Sequence, residues 1–137
     1  MFDTLDISAS GLQAQRTRMD TIAANIANLN TTRDASGRPN PYRRRFAVFG
    51  SGLAARGADA GKPGVHVGQI KQDPSPFQKR FQPGHPDAGP DGMVLYPNID
   101  LSVEFVNALE ASRAYEANVT TMEVTKSMMN ATLRLLA

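Results

Sequence analysis

Asp100 to Ala137 reads DLSVEFVNALEASRAYEANVTTMEVTKSMMNATLRLLA, and its spacing decides the fold. Every seventh position carries Leu101, Ala108, Tyr115, Met122, Met129 and Leu136. Four positions further on in each heptad stand Phe105, Ser112, Val119, Lys126 and Leu133. Ser112 and Lys126 apart, this is an apolar stripe at alternating four- and three-residue steps, the pattern of a helix with a coiled-coil-like seam. Neither Gly nor Pro interrupts it. At 1.5 Å per residue such a helix runs roughly 55 Å. One small globule cannot cover that length, so the helix calls for partners along it. Pro97-Asn98-Ile99-Asp100 opens the helix, with Asn98 or Asp100 in position to cap it.

The amino-terminal end supplies a first partner. A helix is expected from about Asp3 to about Asn30, with Asp3 or Thr4 as cap and Asp6 in the first turn. Leu5, Leu12, Met19 and Ile26 recur at sevens, and Ile22 and Leu29 sit three positions after Met19 and Ile26. The two seams share a period but no sequence. Gly11 weakens the helix by about 1 kcal/mol relative to Ala, and its missing side chain also permits a close helix–helix contact. Asn25 and Asn28 lie beside small Ala residues in AANIANLNTT, Ala23 to Thr32. Asn is a poor interior helix former, so the pair suggests side-chain hydrogen bonds across a close contact that fixes register. Asn118 is the natural counterpart in the last helix.

Between the helices the composition changes. Ten of the eleven Gly fall between Gly37 and Gly92, and all nine Pro between Pro39 and Pro97. These residues punctuate structure, which divides the chain into a discontinuous helical part, 1–32 with 98–137, and an extended middle, 33–97. The fold class expected is mainly α: two long antiparallel terminal helices, coiled-coil-like, with an extended Pro/Gly-rich middle that contains short β-strands. Arg45 to Phe49 and Val65 to Ile70 read as strands, and Met93 to Tyr96 as a short one after the Asp91-Gly92 turn. The prolines at 74, 76, 83 and 86 favour a stiff extended run over a central strand.

Charge follows the same division. From Arg33 to His85 there are ten Lys/Arg and three Asp/Glu, and the rest of the chain holds five basic and ten acidic residues. A basic middle between acidic ends suits nucleic acid, or suits contact between one copy's middle and another copy's ends. The sharpest basic feature is Tyr42-Arg43-Arg44-Arg45. With no recognition-helix pattern nearby, it reads as cationic stems covering apolar surface and pairing with acids, or as a protein–protein contact, ahead of phosphate binding.

Catalytic signatures do not show. There is no Cys, no glycine-rich phosphate loop, no HExxH and no G-x-S-x-G. DAGPDG, Asp87 to Asp91 with Gly92, lacks the alternating oxygen ligands of a calcium loop and reads as turn chemistry. No catalytic, cofactor-binding or metal residue, no cofactor and no small-molecule substrate is therefore expected, and the chain is read as a non-enzyme. His66 and His85 read as surface or interface residues. No apolar run reaches membrane-span length. The start, MFDTLD, has neither a basic nor an apolar signal region, which argues for the cytoplasm or for export without a cleaved signal.

Certain segments resemble a known family. AANIANLNTT is similar to the amino-terminal motif of bacterial flagellar axial proteins, and SRAYEANVTTMEVTKSMMNATLRLL, Ser112 to Leu136, resembles their carboxy-terminal helix. NPYRRRFAVF (Asn40 to Phe49), DPSPF (Asp73 to Phe77) and PGHPDAGPDGMVLYPNIDL (Pro83 to Leu101) narrow the resemblance to proteins of the flagellar proximal rod. It covers nearly the whole chain. The Gly/Ala-rich loop Ser51 to Gly61 stands apart from it and is assigned no role.

The resemblance implies a structural subunit of a helical tube in the basal body that spans the periplasm, transmits torque and encloses an export channel. It implies as partners further copies of the chain, other proximal-rod and distal-rod proteins, an inner-membrane ring or export-gate adaptor, and the flagellar type III export apparatus. Nucleic acid is not among them. Export without a cleaved signal peptide is the expected route. The assembly contacts expected are Leu5, Leu12, Met19, Asn25, Ile26 and Asn28 on the first helix, Arg43, Arg44 and Arg45 in the middle, and Leu101, Tyr115, Asn118, Met122, Met129 and Leu136 on the last. The alternatives are another axial subunit, of rod or hook-junction type, and a small basic nucleic-acid-binding protein.

Overall fold

The computed structural model describes residues 2–52 and 63–136, the side chains of Phe2 and Leu136 excepted. Most of the Gly/Ala-rich loop Ser51 to Gly61 therefore lies outside the described residues. The chain runs α1 (Phe2–Ala27), β1 (Arg45–Ser51), β2 (Val65–Gln72), β3 (Gln78–Phe81), β4 (Met93–Tyr96) and α2 (Leu101–Leu136). Two terminal helices thus enclose a small strand region.

α2 starts where the sequence places it. Asp100 Oδ1 accepts from the backbone N–H of Ser102 at 2.8 Å and of Val103 at 3.3 Å, and Glu104 N–H donates to the Asp100 carbonyl. That is an N-cap. α1 differs at both ends. Asp3 and Thr4 lie inside its first turn, and it stops at Ala27, short of the expected Asn30. Asn28 is the reason: its amide donates to its own helix at the Ala24 carbonyl and its oxygen accepts from Thr31, closing a turn.

The helices run antiparallel, since Arg18 meets Glu110 and Asn25 meets Glu104. At that register Phe2 comes level with about Ser127, so roughly the last two turns of α2 have no α1 beside them. Along α2 the covered row is Glu104, Ala111 and Asn118, flanked by Ala108, Tyr115, Met122 and Met129. The second row expected from the heptads is displaced by one residue: Phe105, Lys126 and Leu133 stand exposed. Small residues explain the shift. On α1 the buried positions are Ser8, Gly11, Ala14, Thr21, Ile22 and Asn25. A Cβ built on Gly11 would lie 3.1 Å from the Asn118 amide. So close an approach excludes the bulkier row.

β1 and β2 form an antiparallel ribbon that packs on α1. Register shifts between Val48 and Phe49, which pair with Gln69 and Val67, so Gly68 is the extra residue of a bulge. The strand Gln78–Phe81 is not among the strands expected from the sequence. It fits in the proline-free gap between Pro76 and Pro83 and pairs with β4 only, so no ladder bond is lost to a proline. Gly92 turns at φ +70° under the Phe81 ring, 2.9 Å from where a Cβ would stand.

The core gathers at one end of the helix pair, where Ile22, Val94, Tyr96, Pro97 and Ile99 are buried. A second tie closes the same end. Arg33 donates to Asp87 at 2.7 Å and Thr32 at 2.8 Å, joining the turn after α1 to the loop before β4. Arg33 above all holds the Asp87 carboxyl below its ordinary value of 3.8. A folded-state value below the unfolded one stabilises the fold above the unfolded value and is lost as pH falls through the folded one. Asp87→Asn should therefore lower stability at neutral pH and flatten the loss of stability below about pH 4, read by urea unfolding across pH. Asp100→Ala should cost about 1 kcal/mol in the same assay at pH 7.

Candidate functional site

Among the described residues, two of the four largest fully buried side chains are polar, Glu104 and Asn25. They face each other across the helix pair, with Asn25 Nδ2 donating to Glu104 Oε2 at 3.1 Å. The middle of the chain completes the cluster. Arg44 Nε donates to Glu104 Oε1 at 2.6 Å. Asn25 takes both backbone groups of Arg45, donating to its carbonyl at 2.8 Å and accepting from its N–H at 2.9 Å. Tyr42 donates its hydroxyl to Asn25 Oδ1 at 3.2 Å, and burial pushes the phenol's pKa up. The amide of Asn25 thus fills two donor and two acceptor positions, all it has.

Helix geometry makes this arrangement possible. Asn25 lies in the last turn of α1 and Glu104 in the first turn of α2, and between those two ends the segment Tyr42 to Arg45 enters β1. A buried carboxylate without a counter-charge is costly. Arg44 supplies the charge, and with its side chain 23% exposed it keeps access to water. Its other arm points to Asp73 at 3.8 Å. Asp73 is held below the ordinary carboxylate value first by hydrogen bonds from Ser75 and then by Arg44 and Arg43.

The expected contact residues separate into groups. Asn25 and Arg44 are joined in the buried cluster, and Arg45 enters it through its backbone while its guanidinium is exposed over the Tyr42 ring. Arg43 lies on the Phe77 ring, 4.4 Å from its centre. Asn118 does not meet Asn25 or Asn28. It sits on Gly11 and donates to the Ala114 carbonyl. Leu5, Leu12, Met19, Ile26, Tyr115, Met122 and Met129 are half-buried along the helix pair, whereas Leu101 is exposed. The side chain of Leu136 lies outside the described residues.

Glu104 was absent from the expectation. An acid in the first turn of a helix is sufficiently explained by the helix dipole. Its one sequence signal is its row: Glu104, Ala111 and Asn118 recur at sevens.

The outer surface is of another kind. α2 exposes Val103, Phe105, Val106 and Leu109 near its start and Val124, Met128, Leu133 and Leu135 further on, with Val106 66% and Leu135 86% exposed. Among the described residues no group of His, Asp and Glu is arranged to hold a metal ion. No described helix is long and apolar enough to cross a membrane. The arrangement offers adhesion along a helix, over a polar cluster that fixes where the helix lies.

Both helices carry a family signature. Residues 5–33 match the model described as flagella basal body rod protein, and residues 91–135 the one described as flagellar basal body rod FlgEFG protein C-terminal. The class is therefore that of flagellar rod proteins. The flagellar basal-body rod protein FlgC of Yersinia enterocolitica is 42% identical over 135 residues, spanning 98% of this chain and 97% of its own. FlgC of Bacillus subtilis is 40% identical over 139 residues, 93% of each chain, and that of Escherichia coli O157:H7 is 38% identical over 135. The chain belongs to the FlgC family of flagellar basal-body rod proteins.

Arg44→Met leaves Glu104 buried and uncompensated, and should cost about 3 kcal/mol in urea unfolding at pH 7. Adding Glu104→Leu should recover most of that loss, because the pair is then replaced by apolar groups. A double variant no more stable than Arg44→Met would show that Arg44 acts through its packing instead.

Proposed function

We propose that the chain is a structural subunit of the flagellar basal-body rod, in its proximal part, and that α2 is its main adhesive element. The observation that carries this reading is the length of α2 left uncovered by its own chain, with large apolar side chains exposed from Val103 to Leu135. A surface of that extent belongs at an interface. Family membership over nearly the full length supports an interface within the basal-body rod.

In this reading the helix pairs of neighbouring copies, and of other proximal-rod and distal-rod proteins, pack through coiled-coil-like seams into a helical tube. The tube encloses the export channel and carries torque through many contacts in parallel. The helical part, 1–32 with 98–137, forms the inner layer, and 33–97 lies outside as a strap between subunits. An inner-membrane ring or export-gate adaptor meets one end of the tube. The subunit leaves the cell interior through the flagellar type III apparatus without a cleaved signal and comes to span the periplasm with the rod.

The exposed apolar side chains of α2 add Phe105, Val106, Leu109 and Leu133 to the contacts proposed at Leu101, while Tyr115, Met122 and Met129 lie half-buried along the helix pair. In the Arg cluster the strap has Arg45 to offer, since Arg44 faces Glu104 and Arg43 covers Phe77. The same engagement weakens a nucleic-acid reading, which needs those guanidinium groups free for phosphate.

Val106→Asp and Leu109→Asp lie at exposed positions, so the stability of the isolated chain should change by no more than about 0.5 kcal/mol. Each should nevertheless remove the protein from detergent-extracted basal bodies and abolish motility, because a carboxylate would enter an apolar interface. Normal recovery of both variants in basal bodies would reject α2's outer face as the adhesive surface. Absence of the unaltered chain from basal bodies would reject the rod reading itself.

A further inference from the structure

The most deeply covered strip between α1 and α2 is lined largely by small side chains, Ser8, Gly11, Ala14 and Thr21 on one helix and Ala108 and Ala111 on the other, with larger apolar ones half-buried beside it. Small side chains allow close approach but specify register weakly, because a slide of one heptad brings similar shapes together. One polar contact and one close steric fit break that equivalence. Asn25 meets Glu104, and Asn118 lies on Gly11. Gly11 and Asn25 are fourteen residues apart on α1, and Glu104 and Asn118 are fourteen apart on α2. Both contacts therefore sit at one heptad position, two heptads apart, and a single register satisfies both.

Sliding by seven residues in one direction puts Asn25 opposite Ala111 and Asn118 opposite Arg18. In the other direction Asn25 passes the start of α2 and Glu104 comes to Arg18. Either slide parts the Asn25 amide from Glu104, and a buried polar side chain that loses its partner opposes it. We propose that Asn25–Glu104 and Gly11–Asn118 act as two pins that set the stagger of α1 against α2. They thereby set how far the end of α2 projects beyond α1. Glu104, Asn25 and Asn118 are positioning residues in this sense, and the inference holds whether or not the chain builds a rod.

The chain has no Cys, so Asp6→Cys and Arg113→Cys supply the only thiols for paired spin labels on the full-length protein. Both positions are exposed. They are offset along the axis by about ten residues, roughly 15 Å, so a slide of one heptad moves the label separation by about 10 Å along the axis. Pulsed electron paramagnetic resonance should give one narrow distance in the otherwise unaltered chain. In N25L/E104L/N118L, with helix content retained by circular dichroism, the distance should shift by about that amount or split into several. A broad distribution in the unaltered chain, or one unchanged distance in the triple variant, overturns the proposal. Should the triple variant lose its helices, N118A carries the test. It removes one pin without adding bulk, and should broaden the distribution, and an unchanged narrow distance again overturns the proposal.

Discussion

A carboxylate that no water reaches needs a cation and a donor, and Glu104 obtains them from two distant parts of the chain. That requirement organises the molecule. Arg44 can reach Glu104 only if the segment before β1 crosses the end of the helix pair. Asn25 can reach both Glu104 and Arg45 only if α1 ends beside the start of α2. Replacing one partner leaves the others buried and unpaired, so the three segments hold together or separate together. Ile22, Val94, Tyr96, Pro97 and Ile99 gather at the same end of the molecule, and the apolar core is small.

Away from that end the fold thins out. α2 continues along and past α1, half-buried on one side and apolar in part on the other. A small domain cannot bury so long a helix within itself. The division is therefore physical: one end of the chain is completed internally, and the other remains to be completed by neighbours. For a member of a rod-protein family, the internally completed end gives each copy the same shape, and the uncompleted length gives the copies something to share.

Much of this was legible before any coordinates. Uninterrupted heptad spacing marks both helices, Asp100 caps the second, and alternating β-formers locate β1, β2 and β4. What escaped did so for identifiable reasons. The strand Gln78–Phe81 was hidden by flanking prolines, whose effect stops at the residues that need them. The covered row of α2 is displaced because heptad reading turns the large apolar residues inward, while Gly11, Ala14 and Ala111 allow an approach that only small ones permit. The partner of Asn25 is no other Asn but Glu104, an acid whose place at a helix start the helix dipole alone explains. The segments resembling flagellar axial proteins located the family correctly, yet no resemblance of segments indicates which side chain faces which.

The grip of Asn25 on Arg45 also bears on how such chains behave when crowded. A two-stranded ribbon presents unpaired backbone groups along its outer edges, and those edges recruit strands from other molecules. On β1 the first outward-facing pair of groups is already occupied, because a helix side chain donates to the carbonyl and accepts from the N–H as a neighbouring strand would. Four residues on, the partner strand bulges at Gly68 opposite Val48–Phe49, and the ribbon twists more strongly there. Between the amide and the bulge little straight edge remains for a foreign strand to join. Proteins brought together at high local density can then meet through their helices without their ribbons merging into a continuous sheet.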